Sequence, residues 1–243
     1  AGAGPLARCG WPTDERYFPT VLQLPADADI TAPPEGFAPL TCRQLGLYPV
    51  VDSLEWLALL LPLGLNIIQL RIKQPGADLA EQIRQAVNMA ASYQTRLFIN
   101  DHWQLAIECG AYGVHLGQED LEAADLGAIY RAGLRLGIST HGYAELCRAR
   151  QFRPSYIALG HIFATQTKKM PSKPQGLARL RRYQTLAGDI PTVAIGGISQ
   201  ARFADVVDTG VNGVAVVSAI TRAAEPVAAV NRLKETYDRV KQR

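Results

Sequence analysis

From Leu45 onward, short apolar runs rich in β-branched residues alternate with longer stretches in which apolar residues recur every three or four positions. The first pattern fits strands and the second amphipathic helices. LGLYPVV is followed by SLEWLALLL, NIIQLRIK by ADLAEQIRQAVNMAASY, and RLFIN by HWQLAIECG. GVHLG precedes LEAADLGAIYRAG, RLGIS precedes GYAELCRARQ, and YIALGHI precedes GLARLRRYQTLAG. PTVAIGG then leads into SQARFADVVDTG, and GVAVVS into a tail helix through Lys241. Eight strand–helix units in about 200 residues predict an α/β fold of the (β/α)8 TIM-barrel type rather than an open doubly wound sheet. No GxGxxG follows the first strand, which also argues against a dinucleotide fold.

Before Leu45 the texture differs. Seven of the 15 prolines fall within the first 39 residues, where no period persists. Residues 1–44 are therefore expected to be a Pro-rich N-terminal extension or linker, and residues 45–243 the barrel domain. Trp11, Tyr17, Phe18, Val21, Leu22 and Leu24 make the extension apolar enough that part of it should dock on a folded surface.

Composition narrows the function. With 48% hydrophobic residues in 243, the chain can bury a full core, so disorder along its whole length is excluded. Its 25 Lys and Arg against 22 Asp and Glu leave +3, with no basic block of the kind that tracks nucleic acid. The longest apolar stretch, Leu57 to Leu65, is broken by Pro62 and Gly64 and falls short of the roughly 20 residues of a membrane span. Cys9, Cys42, Cys109 and Cys147 stand far apart without CxxC pairs, which argues against zinc and leads us to expect reduced thiols in the cytoplasm.

A barrel gathers its chemistry at the C-terminal ends of its strands. In QLRIK, strand alternation puts Gln69, Arg71 and Lys73 on one face and Leu70 and Ile72 on the other. Two cations near a strand end suggest a bound anion; as an isolated motif they fit snorkelling surface side chains equally well. The third and fourth strands lead into Asn100 and Asp101 and into Gln118, Glu119 and Asp120. Asp101 and Asp120 suit either helix N-caps or a pair of oxygen ligands for Mg2+, a hard ion that keeps water and phosphate oxygens in its remaining positions. Ser139, Thr140 and His141 follow the fifth strand, and the long connection from Gly160 to Gly176 carries Thr165, Thr167 and Lys168. Gly196 and Gly197 end the seventh strand and Val217 and Ser218 the eighth, the two positions where barrels commonly bind a monophosphate.

Taken in order, QLRIK, FIND, GVHLGQEDL, GIST, ALGHIFATQTK, AIGGIS and AVVSAI resemble the thiamine-phosphate synthase (thiamin-phosphate pyrophosphorylase) family, over about Leu45 to Ala219. The resemblance implies a transferase that joins 4-amino-5-hydroxymethyl-2-methylpyrimidine diphosphate to a thiazole phosphate, releasing diphosphate and forming thiamine phosphate, with Mg2+ as cofactor. It implies that Gln69, Leu70, Arg71, Ile72, Lys73, Asn100, Ser139 and Lys168 hold the pyrimidine diphosphate, with Arg71, Lys73, Ser139 and Lys168 as the catalytic set. Asp101 and Asp120 would bind Mg2+, and Thr165, Gln166, Thr167, Gly197, Val217 and Ser218 the thiazole phosphate. The extension resembles the joining region of fusions with a hydroxymethylpyrimidine phosphate kinase, so a fused or upstream kinase module is an expectation, as is a homo-oligomer. A thiazole tautomerase on the same barrel would need neither Mg2+ nor grips for diphosphate, so the set of Arg71, Lys73, Asp101, Asp120 and Lys168 argues against it. A noncatalytic barrel that binds thiamine intermediates is the alternative from another class, and a diphosphate-release assay separates it. His115, His141 and Glu119 receive no role from the sequence.

Overall fold

A computed structural model of the chain describes residues 35–165 and 172–243. Eight parallel strands close into a barrel in sequence order: β1 (Gly46–Val51), β2 (Ile67–Leu70), β3 (Arg96–Asn100), β4 (Gly113–Leu116), β5 (Arg135–Thr140), β6 (Tyr156–Leu159), β7 (Thr192–Ala194) and β8 (Gly213–Val216). The ring is completed by β1 against β8, with Gly46 opposite Gly213 and Pro49 opposite Val216. Between and after them run α1 (Leu54–Leu60), α2 (Leu79–Ala91), α3 (Trp103–Glu108), α4 (Gln118–Ala123), α5 (Leu126–Arg131), α6 (Tyr143–Gln151), α7 (Gly176–Leu186), α8 (Gln200–Val207), α9 (Ser218–Thr221) and α10 (Pro226–Lys241). The eight predicted units are thus all present. Two predicted helices are divided: LEAADLGAIYRAG breaks between α4 and α5, where Asp125 caps the second piece by accepting from Ala128 N at 2.8 Å, and the tail breaks ahead of Pro226.

Strand alternation sorts the core into two clusters. Outward positions such as Leu47, Ile68, Leu97, Val114, Leu136, Ile157, Ala194 and Val214 pack under the helices, while Tyr48, Val50, Ile67, Phe98, Tyr156, Ala158, Val193 and Ala215 fill the barrel interior. Two strand glycines make room for the large interior rings. A Cβ at Gly137 would collide with the Tyr156 ring and one at Gly113 with Phe98. The interior is therefore a packed plug and not a channel.

Part of the expected extension is docked at the N-terminal end of the strands. Phe37 N donates to Arg153 O at 3.0 Å, Ser155 Oγ donates to Ala38 O at 2.6 Å, and the Phe37 ring meets Tyr130 edge-on at 5.9 Å. Leu40 packs against the interior cluster, and Arg96 Nε donates to Thr41 Oγ1 at 2.8 Å. Residues 1–34, including Trp11 to Leu24, lie outside the described residues. Among the described residues no helix is long and apolar enough to cross a membrane.

Candidate active site

Most of the sequence-predicted residues that are described lie at the C-terminal ends of the strands. β2 stops at Leu70, earlier than QLRIK suggests, and only one further ladder-like bond follows, from Arg71 N to Val51 O at 2.7 Å. Beyond it Arg71 is half-buried and Lys73 exposed in the loop. Both line a cavity of about 400 Å³ with Asp52, Trp56, Ser218 and Arg222. The cavity brings the cations of the β2 end beside the hydroxyl of the β8 end. Asp52, Trp56 and Arg222 went unnoticed in the sequence because nothing in their local pattern marks them. The Leu70 side chain is buried in the outer cluster and Ile72 packs against that cluster.

Asp101, just after β3, and Asp120, in the helix that follows β4, come together, and neither caps a helix. The residue ahead of α3 is His102 and the one ahead of α4 is Gly117, each without a side-chain capping bond, while Asp120 lies inside the first turn of α4. Asp101 holds a left-handed backbone (φ 63°), with its N–H bound to His115 O at 3.0 Å and its carbonyl accepting from Trp103 N at 2.7 Å. Such a conformation is uncommon for a residue with a side chain and is kept where surroundings enforce it. Burial pushes the Asp101 carboxyl above its ordinary range, and the adjacent Asp120, close enough to share a hydrogen bond, pushes it further. Asn100 and the charge of Arg71 act in the opposite direction. Two carboxylates forced together in a half-buried site form a donor set that suits a hard divalent cation, since the ion removes the repulsion that otherwise raises the carboxyl.

Gln69 and Asn100 point into the barrel and are buried. Ser139 is half-buried at the rim; its Oγ lies 2.7 Å from His115 Nε2 and its carbonyl accepts from Gln118 Nε2 at 2.8 Å. Thr140 instead donates to Ala158 O at 2.9 Å and is structural, and His141 pairs with Glu145 at 2.8 Å.

The loops after β6 and β7 are tied together. Phe163 N donates to Gly196 O at 3.0 Å, and Arg202 both donates to Gly197 O at 3.1 Å and stacks over the Phe163 ring at 4.4 Å. Gly197 takes a left-handed φ of 64°, and a side chain there would strike the carbonyls of Phe163 and Ala164. The base of the β6 loop is closed by Gln175 N to His161 O and Gly176 N to Ile162 O, both 2.9 Å. Thr165 lies on this loop, while Gln166, Thr167 and Lys168 fall outside the described residues. Val217 packs against the interior cluster directly before Ser218 opens α9.

A larger cavity of about 700 Å³ lies at the opposite end, around Thr41, Arg96, Tyr112 and Arg135. Arg96 and Arg135 begin their strands, so this cavity is remote from the clustered carboxylates and cations of the mouth.

A family model described as Thiamine monophosphate synthase matches residues 40–220. The thiamine-phosphate synthase of Serratia proteamaculans is 59% identical over 211 residues, covering 86% of this chain and 98% of the relative. That of Yersinia pestis is 62% identical over 188 residues, 77% of this chain and 87% of the relative. Among solved structures, a thiamine phosphate pyrophosphorylase from Pyrococcus furiosus superposes with a TM-score of 0.72 at 30% identity, over 82% of this chain and 98% of that one. A 3-hexulose-6-phosphate synthase from Salmonella typhimurium shares the barrel alone, at 16% identity and a TM-score of 0.64 over 80% of this chain and 99% of that one.

Proposed function

The chain belongs to the thiamine monophosphate synthase family, and from that premise we propose how its barrel mouth carries out the condensation. It is a transferase that joins 4-amino-5-hydroxymethyl-2-methylpyrimidine diphosphate to thiazole phosphate, giving thiamine phosphate and diphosphate. In our reading Arg71, Lys73, Asn100, Ser139 and Lys168 grip the pyrimidine diphosphate, with Gln69 beneath it inside the barrel. Thr165, Gln166, Thr167, Gly197, Val217 and Ser218 take the thiazole phosphate. Asp101 and Asp120 would hold Mg2+.

The bond that breaks joins the pyrimidine methylene carbon to a diphosphate oxygen, and its electron pair leaves with diphosphate. The electron-rich aminopyrimidine spreads the positive charge left on carbon, and the thiazole nitrogen, which carries no proton, supplies the pair for the new bond. No general base is required, because the attacking nitrogen has no proton to give up. The protein's work is to stabilise the departing charge. Bound at the two carboxylates, Mg2+ would neutralise part of the charge on diphosphate. Arg71, Lys73 and Lys168 add cationic contacts, each worth ~4 kcal/mol gross at ~4 Å and an effective dielectric near 20, of which a fraction suffices for several decades of rate.

The observation that carries this reading is that Arg71 and Lys73 share one cavity with Ser218. The two anions then lie side by side, as a transfer between them requires. Ser218→Ala should mainly raise KM for thiazole phosphate, and Lys168→Ala should mainly slow bond breaking in single-turnover experiments. A Lys168→Ala enzyme altered only in thiazole phosphate binding would remove Lys168 from the diphosphate side.

A further inference from the structure

Below the mouth, a line of side-chain hydrogen bonds crosses the barrel interior and ends at Ser139. Gln69 Nε2 donates to Tyr48 Oη at 3.1 Å, and Tyr48 Oη meets Tyr156 Oη at 2.7 Å. Tyr156 Oη lies 2.7 Å from His115 Nδ1, and His115 Nε2 lies 2.7 Å from Ser139 Oγ. Five strands contribute one member each, and all but Ser139 are buried, with Tyr156 at 0% and His115 at 5% exposure. Burial pushes both phenols up, so each retains its proton.

Proton counting gives the line a direction. An amide nitrogen only donates, so Tyr48 Oη accepts from Gln69. The Tyr48 proton then has Tyr156 Oη as its acceptor; were Tyr156 to donate to Tyr48 instead, a buried O–H would be left unpaired, at substantial cost. Tyr156 therefore passes its own proton toward His115 Nδ1. A ring that accepts at Nδ1 is neutral and carries its proton on Nε2, which donates to Ser139 Oγ. With its lone pair taken from below, the Ser139 O–H points away from His115. We infer that His115 is a positioning residue for the transfer reaction, held as the Nε2–H tautomer by Tyr156, Tyr48 and Gln69 so that Ser139 presents its O–H as a donor to the anionic substrate. The substrate side of this inference rests on the reading above, in which Ser139 contacts the pyrimidine diphosphate. A reversed Gln69 amide would reverse the whole line and offer that anion a Ser139 lone pair.

Two measurements decide the matter. Long-range proton–nitrogen correlation spectra of the full chain without substrate report the tautomer of each of its four histidines, with His115→Gln supplying the assignment. The expected result is a neutral His115 ring protonated on Nε2; a proton on Nδ1 overturns the inference. Steady-state kinetics then compare His115→Leu, His115→Gln, Ser139→Ala and the Leu/Ala double variant. His115→Leu should lose roughly ten- to a hundredfold in kcat/KM for the pyrimidine diphosphate, the range of one hydrogen bond to a charged group, with KM for thiazole phosphate nearly unchanged. His115→Gln, whose amide N–H can replace Nε2–H, should recover most of that loss. In the Ser139→Ala background, His115→Leu should cost almost nothing more. A fully additive loss, with Ser139→Ala impaired, overturns the positioning role alone. A fully active Ser139→Ala removes Ser139 from the substrate contacts, and the positioning role with it. Should His115→Leu fail to fold, the tautomer of the unaltered chain and the Gln variant decide.

Discussion

Asp101→Asn should make the metal-free protein more stable and the enzyme worse. Asp101 and Asp120 stand within hydrogen-bonding reach, and both burial and the neighbouring carboxylate raise the Asp101 carboxyl. Two like charges ~4 Å apart repel by ~4 kcal/mol gross at an effective dielectric near 20. Both residues are half-exposed and Arg71 lies close, so screening reduces the net penalty to about 1 kcal/mol. An uncharged Asn of the same shape removes it, and the thermal midpoint in chelator should rise by about 2–4 °C for a chain of this size. The pH dependence has a definite sign. Below the unfolded carboxyl value of about 3.9 both states hold the proton and Asp101 contributes nothing. As pH rises from there to the raised folded value, the unfolded carboxyl ionises while the folded one still holds its proton, so metal-free stability declines and then levels off once the folded carboxyl has ionised, a decline absent from the Asn variant. Mg2+ needs the ionised form, so the stability it adds to the unaltered protein should grow with pH and vanish on acidification through the same raised value. Activity at limiting Mg2+ should meanwhile fall on the order of tenfold or more in Asp101→Asn. Thermal melts in chelator and in excess Mg2+ across pH, paired with a Mg2+ titration of activity, check this. A lowered midpoint in chelator, or an unchanged Mg2+ titration, would refute the reasoning.

Other outcomes follow from the packing. Deleting residues 1–40 should leave kcat nearly unchanged but lower the thermal midpoint, because buried Phe37 and the Leu40 contact leave the base of the barrel; Phe37→Ala alone should cost roughly 3 kcal/mol. A large loss of kcat in a truncated, folded protein that binds both substrates would place the extension in catalysis. Gly137→Ala should destabilise by about 1–3 kcal/mol, since its methyl group meets the Tyr156 ring. An unchanged midpoint in denaturant titration would show that the interior tolerates the extra carbon.

The barrel is legible in the sequence because each of its units is local: a strand-period run, a turn, a helix-period run. Arg71, Asp101, Asp120 and Ser218 are legible for a related reason, since a barrel converts positions after successive strands into one ring. What stays hidden depends on contacts across the closed sheet. Tyr48, Tyr156 and His115 read as ordinary strand residues, and only closure brings Tyr48 and Tyr156, 108 residues apart, to 2.7 Å. Two glycines that look like weak points in β4 and β5 are the vacancies into which Phe98 and Tyr156 fit. The docking of Phe37 and Leu40 is likewise invisible in a stretch with no period, because its partners Tyr130, Arg153 and the interior cluster are assembled by the fold.

The most direct measurement is to incubate the purified chain with the pyrimidine diphosphate, thiazole phosphate and Mg2+, following diphosphate and thiamine phosphate together. The account predicts that the two appear in equal amounts, that product requires both substrates, and that chelation of Mg2+ suppresses the reaction. Binding of both substrates with no thiamine phosphate formed by the folded chain would contradict it.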